Sequence, residues 1–169
     1  MIFKKKITDK LTETVEHELK NLYRYAFYRI GNKQDAEDII QNLYLSMYSK
    51  EEQLTEIDNL KSYIYRALSN NCTLLLRKRQ QNNTISIEGT ELMNIAEAEP
   101  KNLEEEYNLI NSLLEIIPEE QSEVIRLHIH GNRTFVDIAD ILRIPVTTAK
   151  SRFKYGIEKL RKEIEKADI

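Results

Sequence analysis

Apolar residues in this chain return every three or four positions wherever they form a run, and they stop doing so in one central stretch; that spacing sets the fold class. Leu11, Val15, Leu19, Leu22, Tyr23, Ala26, Phe27 and Ile30 keep the spacing with charged residues between them, so they line one face of a helix. Gly31 and Asn32 suit the end of that helix and the cap of the next. Ala36, Ile39, Ile40, Leu43, Tyr44, Met47 and Tyr48 then carry a second helix to about Ser49. The polar segment from Ser49 to Asn59 reads as a loop, with Asn59 capping a third run through Leu60, Tyr63, Ile64, Ala67, Leu68, Leu74 and Leu75. Strand architectures are disfavoured, because four Gly and three Pro in 169 residues supply few of the tight turns a sandwich or barrel needs.

Between Gln80 and Pro100 the periodicity fails and the residues turn polar, which predicts an inter-domain linker. Seven glutamates from Glu88 to Glu106 face a single base, Lys101, a bias that extends a chain by self-repulsion and ordinarily does no more than keep it solvated. Periodicity resumes with Leu103, Tyr107, Ile110, Leu113, Leu114 and Ile117 and stops at Pro118, which suits the first turn of a helix running to about Ile129. Gly131 ends that helix. Thr134 and Asp137 form a capping-box pattern for a short helix through Ile138, Ala139, Ile141 and Leu142. After Arg143-Ile144-Pro145 a last helix starts near Val146 and is expected to bury Ala149, Phe153, Ile157, Leu160 and Ile164, with Gly156 weakening its middle. The expected fold is all-α: two small helical domains, residues 1–80 and 102–169, joined by a flexible acidic linker over 81–101, the second domain having four helices.

The formal charge of −3 is no polycation, so any affinity for nucleic acid has to come from a local basic surface. Cys72 is the sole cysteine, which excludes an internal disulfide and fits a reducing compartment. No apolar run reaches the length of a signal peptide or membrane span, so a cytoplasmic protein without membrane insertion is expected. His17, His128 and His130 are the only histidines, the latter two facing different sides of a helix, and no phosphate loop or nucleophile motif occurs. No enzyme activity, catalytic residue, metal or cofactor is expected.

The short helix, turn and longer helix from Phe135 to Tyr155 have the spacing of a helix-turn-helix, whose second helix enters the DNA major groove. Ala139 is small where the helices must approach, Ile138, Leu142 and Ile144 supply the buried staple, and Ala149 and Phe153 anchor the second helix. Thr147, Thr148, Lys150, Ser151, Arg152, Lys154 and Tyr155 remain outside with no acid among them, a surface suited to phosphates and base edges. Five bases and no acid lie between Lys61 and Arg79, three of them consecutive at Arg77-Lys78-Arg79. Taken alone, such a cluster is more often a stabilising helix-end cap than a DNA site, and Tyr63 and Tyr65 more often belong to the core.

These residues together resemble a bacterial RNA polymerase sigma factor of the compact extracytoplasmic-function type, over nearly the whole length. Leu22-Tyr23 through Gly31-Asn32 and Asp35-Ala36-Glu37-Asp38-Ile39-Ile40-Gln41 are similar to the segment that docks on the core enzyme. Leu60 to Asn70 with Arg77-Lys78-Arg79 is similar to the helix that opens the minus-ten element, and the Ser49–Asn59 loop to the one that reads an extruded base. Ile117-Pro118-Glu119-Glu120-Gln121, Asp137-Ile138-Ala139 and Thr148-Ala149-Lys150-Ser151-Arg152 resemble the minus-thirty-five module. The resemblance implies a factor that binds core RNA polymerase and directs promoter recognition and transcription initiation. It implies core-polymerase contacts from Asp35, Glu37, Asp38 and Gln41. Minus-ten contacts would come from Tyr63, Arg66, Asn70, Arg77, Lys78 and Arg79, and minus-thirty-five contacts from Thr147, Thr148, Lys150, Ser151, Arg152 and Lys154. Core RNA polymerase and promoter DNA are the implied partners, with room for an anti-sigma factor.

Departures from the family pattern are Arg143 where the turn usually has Gly, Ala149 for Val, Asn42 for an acid, Tyr63 for Trp and Leu74 for Asp. Leu74 and Asn42 keep open a degenerate sigma-like protein that docks without opening DNA, and the other competing reading is a free-standing helix-turn-helix regulator. The charge asymmetry also suggests that basic helix ends of one half contact acids of the other, which would hide both DNA surfaces.

Overall fold

The computed structural model describes residues 2–82 and 103–167, with side chains over 9–82 and 105–167. Helices α1 (Ile2–Ile30), α2 (Lys33–Ser49) and α3 (Leu60–Asn82) form the first half, with one 3₁₀ turn, Gln53–Glu56, between α2 and α3. The second half holds α4 (Leu103–Leu114), α5 (Glu119–Ile125, continued by a π-helical turn Arg126–His130), α6 (Phe135–Leu142) and α7 (Val146–Ala167). The fold is all-α, as the periodicity requires. Most of the expected linker lies outside the described residues; Gln81 and Asn82 complete α3.

Local signals in the sequence set the helix ends. The Asn32 Oδ1 accepts from the Asp35 N–H at 3.0 Å, the Asn59 Oδ1 from the Ser62 N–H at 3.1 Å, and Thr134 and Asp137 form a reciprocal capping box. Gly31 closes α1 with φ +83°, a conformation that favours glycine, and a Cβ there would stand 2.4 Å from the Tyr107 ring of α4. Two expectations change. Helix α4 ends at Leu114 rather than Ile117, because the residues before Pro118 are pushed out of helical geometry and the Ser122 hydroxyl donates to the Leu114 carbonyl at 2.7 Å. Ile164, expected in the core, is 44% exposed, since α7 outruns the helices it packs on.

Gly156 is buried, and a Cβ there would meet Ile125 Cδ1 at 2.9 Å. Its purpose is thus close approach of α7 to α5, which offsets the lost helix propensity.

The two halves do not keep separate cores. Leu22, Tyr25, Ile64, Tyr65, Leu68 and Cys72 of the first half are continuous with Val124, Leu127, Ile138, Ile141 and Ala149 of the second, while Leu114, Ile117 and Ile125 form a satellite cluster. Polar residues stitch the joint. Glu18, 2% exposed, accepts from the Tyr65 hydroxyl at 2.9 Å and from Arg133 Nη2 at 2.8 Å, with Lys61 Nζ 3.3 Å away. Burial raises the Glu18 pKa, but the Tyr65 hydrogen bond and the Arg133 charge, with Asn21 and Lys61, outweigh it and hold the carboxyl below its ordinary value. On the other side, Glu123 Oε1 accepts from the Tyr25 hydroxyl at 2.5 Å and the Ser69 hydroxyl at 3.1 Å. Arg29 and Arg126 lie within 3.7 Å of that carboxylate.

His130 stacks on Tyr28 across the joint, rings 3.9 Å apart and 10° from parallel, with its Nδ1 buried and unpartnered. Burial, helped by the charges of Arg24 and Arg126, pushes its pKa down to about 4. A histidine held neutral when folded contributes stability above its ordinary pKa of about 6.5, and loses it as pH falls toward the folded value. The melting temperature should therefore drop between pH 7 and pH 5, and His130→Phe should flatten that drop; calorimetry of both proteins across that range measures it.

Candidate nucleic-acid interface

Helices α6 and α7 cross through a small contact that the sequence dictates. Ala139 and Ala149 are buried where the helices meet, and Ile138 is fully enclosed. The frame is completed by an aromatic group: His128 stacks on Phe135 at 4.5 Å, and Phe153 stands edge-on to both at 4.8 and 5.4 Å. Arg143 sits in the left-handed region at φ 56°, ψ 51°, so the turn keeps a glycine-like geometry although it lacks the glycine. The Arg143 and Ile144 N–H groups both reach the Ala139 carbonyl, which closes α6.

This frame presents α7 outward. Thr147, Lys150, Ser151, Lys154 and Tyr155 are exposed and Thr148 half-buried. Arg152 turns back toward α5, with Nη2 3.6 Å from Glu120. The outward surface therefore offers Lys150 and Lys154 flanked by hydroxyls, the chemistry of phosphate contact and base-edge readout.

In the first half, Asn70, Arg77 and Lys78 are exposed on α3 and Tyr63 is half-buried. Two of the sequence-derived bases are already engaged. Arg79 donates to the Ile30 carbonyl at 2.8 Å and pairs with Asp35, so a candidate for DNA and a candidate for polymerase hold each other. Arg66 donates from Nε to the Ile141 carbonyl at 2.9 Å and from Nη2 to the Asp140 carbonyl at 2.7 Å, both on α6. On α2, Glu37, Asp38 and Gln41 are exposed, and Asp38 accepts from Gln34 at 3.1 Å. Beside them an open groove of about 900 Å³ runs between α1 and α2, walled by Leu19, Tyr23, Ile40 and Tyr44 and edged by Glu37 and Gln41.

A model for "Sigma-70 region 2" matches residues 14–82 and one for "Sigma-70, region 4" matches residues 113–162. The chain belongs to the sigma-70 family. It is a sigma factor of the extracytoplasmic-function type, directing promoter recognition with RNA polymerase. It is 26% identical to the ECF RNA polymerase sigma factor SigW of Bacillus subtilis (strain 168), over 95% of this chain and 92% of that one. It is 25% identical to the RNA polymerase sigma factor SigV of the same organism, over 98% and 99%. Its fold is similar to that of CnrH, solved with the cytosolic domain of CnrY (TM-score 0.68, 16% identity, 97% of this chain and 96% of that one). It is similar also to RpoE from Bartonella quintana, solved with the anti-sigma factor NepR (TM-score 0.63, 19% identity, 92% and 97%).

The residues that sequence reasoning missed are the buried charges, Glu18, Glu123, Arg126 and Arg133. Glu18 carried one legible sign: it falls in the apolar phase of α1, between Val15 and Leu22.

The left-handed Arg143 yields a stability test, because a side chain there costs about 1–2 kcal/mol that glycine avoids, less glycine's own entropy cost. Arg143→Gly should raise the unfolding free energy by about 1 kcal/mol and the melting temperature by about 2–4 °C, read by thermal denaturation.

Proposed function

We propose that the two halves of this sigma factor divide promoter recognition between them. The first half docks on core polymerase and takes the minus-ten element, and the second reads the minus-thirty-five duplex. The observation that carries the second assignment is α7, whose Thr147, Lys150, Ser151 and Lys154 stand outward with no acid among them on a fully packed helix-turn-helix. Lys150 and Lys154 neutralise backbone phosphate, the hydroxyls fix register, and Arg152 joins them once it leaves Glu120.

Core docking is assigned to Glu37, Asp38 and Gln41, with Asp35 at the edge. Its support is their exposure on one face of α2 beside the α1–α2 groove, where an acidic and amide rim meets an apolar floor. Such a surface suits a basic, partly apolar partner. Minus-ten contact is assigned to Tyr63, Arg66, Asn70, Arg77, Lys78 and Arg79 along α3. An aromatic ring and amides there suit unpaired bases, and the guanidinium and ammonium groups suit the backbone.

The protein acts in the cytoplasm, with core polymerase and promoter DNA as partners. No helix among the described residues is long and apolar enough to cross a membrane. An anti-sigma factor is a further partner, a reading supported by the similar RpoE having been solved with one.

The test combines the purified protein, sigma-free core polymerase and genomic DNA fragments, and sequences the transcripts. New starts should appear only with the protein present and vanish with Lys150→Glu/Arg152→Glu. Glu37→Ala/Asp38→Ala/Gln41→Ala should weaken core binding on the order of tenfold, the scale of a lost charge-assisted contact, while leaving duplex binding intact. Core binding without starts would favour a degenerate factor, and duplex binding without core binding a free-standing regulator.

A further inference from the structure

The turn between α6 and α7 carries a side chain that its backbone does not require. Arg143 adopts φ 56°, ψ 51°, a conformation that glycine takes without steric cost and that any other residue takes at a loss of stability. A side chain kept at such a position points to a use for the side chain itself. Folding makes none of it: Arg143 is exposed, and among the described residues no carboxylate or carbonyl engages its guanidinium. Asp140, one turn earlier on α6, is taken by the Asn59 amide at 2.8 Å. Arg66, Arg79, Arg133 and Arg152 differ in this respect, each holding a carboxylate or a carbonyl.

The place of Arg143 in the module indicates where that use lies. When a helix-turn-helix docks, its first helix crosses the DNA backbone and the N-terminal residues of its second meet base edges in the major groove. The turn joining them therefore stands over the edge of the groove, beside the phosphates. Arg143 lies just ahead of Val146, where α7 begins, and its backbone is fixed by the Arg143 and Ile144 N–H bonds to the Ala139 carbonyl, with Ile144 packed on the core. From there the outward cations continue down α7 as Lys150 and Lys154. These residues stay exposed although the halves share one core, so the expectation that contact between the halves hides both DNA surfaces is corrected for α7.

We propose that Arg143 grips a backbone phosphate at the edge of the minus-thirty-five major groove, a DNA contact additional to those of α7. This rests on the assignment of α7 to that duplex. A guanidinium offers two parallel donors to two phosphate oxygens, which an ammonium does not, and phosphate contact carries no sequence information. Arg143 thus adds grip and orientation while α7 reads the bases. Because the turn is already held by its own hydrogen bonds, little backbone freedom is lost when the phosphate arrives. The module therefore trades some folding stability for a cation fixed at the groove edge.

The test titrates the full-length protein onto a labelled mixed-sequence duplex of about 20 base pairs and follows anisotropy, since a phosphate contact forms on any sequence. Arg143→Gly should weaken binding on the order of tenfold at about 50 mM salt and only a few-fold at about 200 mM, the slope of log affinity against log salt falling by about 0.9. The same variant should melt higher than wild type, which separates weaker binding from a damaged fold. Arg143→Asn, neutral but tolerant of the left-handed backbone, should bind as Arg143→Gly does, whereas Arg143→Lys should restore the slope and bring affinity within about threefold of wild type. Lys10→Gln removes an exposed cation from α1 and should leave duplex affinity within about twofold. Undiminished binding in Arg143→Gly beside a loss in Lys150→Gln would overturn the proposal and leave α7 in its assigned role. Equal losses in Arg143→Gly and Lys10→Gln would overturn it as well, since net charge would then explain both. Undiminished binding in both Arg143→Gly and Lys150→Gln would overturn the assignment of α7 and the proposal with it.

Discussion

Glu18 is the residue on which the arrangement turns. A carboxylate with 2% of its surface exposed is costly to bury unless its charge is met, and here it is met by three residues from two elements. Tyr65 approaches from α3, Lys61 from one turn earlier on the same helix, and Arg133 from the loop before α6. The Arg133 guanidinium also lies over the Tyr65 ring, 4.7 Å from its centre. Tyr65 and Lys61 tie α1 to α3 within the first half, and Arg133 is the partner that brings the second half to the acid. The relative placement of the halves is thus specified by charge satisfaction, while the apolar core around it supplies the area.

The two sides of the joint solve the same problem in different ways. Glu18 is satisfied by well-aligned hydrogen bonds and carries a lowered pKa. Glu123 has one oxygen doubly bonded and the other left to two guanidinium groups at 3.6 and 3.7 Å, and the Nε atoms of Arg29 and Arg126 find no hydrogen-bond partner. The second cluster is the looser one, because an unfilled bond in a buried network forfeits the full desolvation cost of its group. Separation that begins on the Glu123 side exposes less satisfied polar surface than separation that begins at Glu18.

Features whose physics is local were legible in the sequence. Asn32, Asn59 and Thr134 cap helices because a short side-chain acceptor needs only the amide three residues on, and Ala139 and Ala149 mark a close crossing because nothing larger fits. The helix-turn-helix and its outward cations followed from those. What was not legible depends on residues far apart in the chain. Glu123 reads as one more glutamate in a charged helix until Tyr25, 98 positions earlier, reaches it. Arg66 and Arg79 read as free bases, and only the packing of α3 on α6 and on the start of α2 shows each of them occupied. Arg143 stands where the turn usually has Gly, and the Ala139 carbonyl, accepting from the Arg143 and Ile144 N–H groups, holds it there at a modest backbone cost.

The π-helical turn at the end of α5 has a consequence for which side chains meet across the joint. Its closing bond runs from the Gly131 N–H to the Arg126 carbonyl at 3.0 Å, one residue further than an α-helix would reach. That extra residue lets His128 face the aromatic group of its own module while His130 faces Tyr28 of the other half. The wide turn takes up one extra residue and so keeps the direction of the chain beyond it while turning the side chains within it off the α-helical phase. Two histidines only two positions apart thereby serve both sides of the joint, one packing its own module and the other the opposite half.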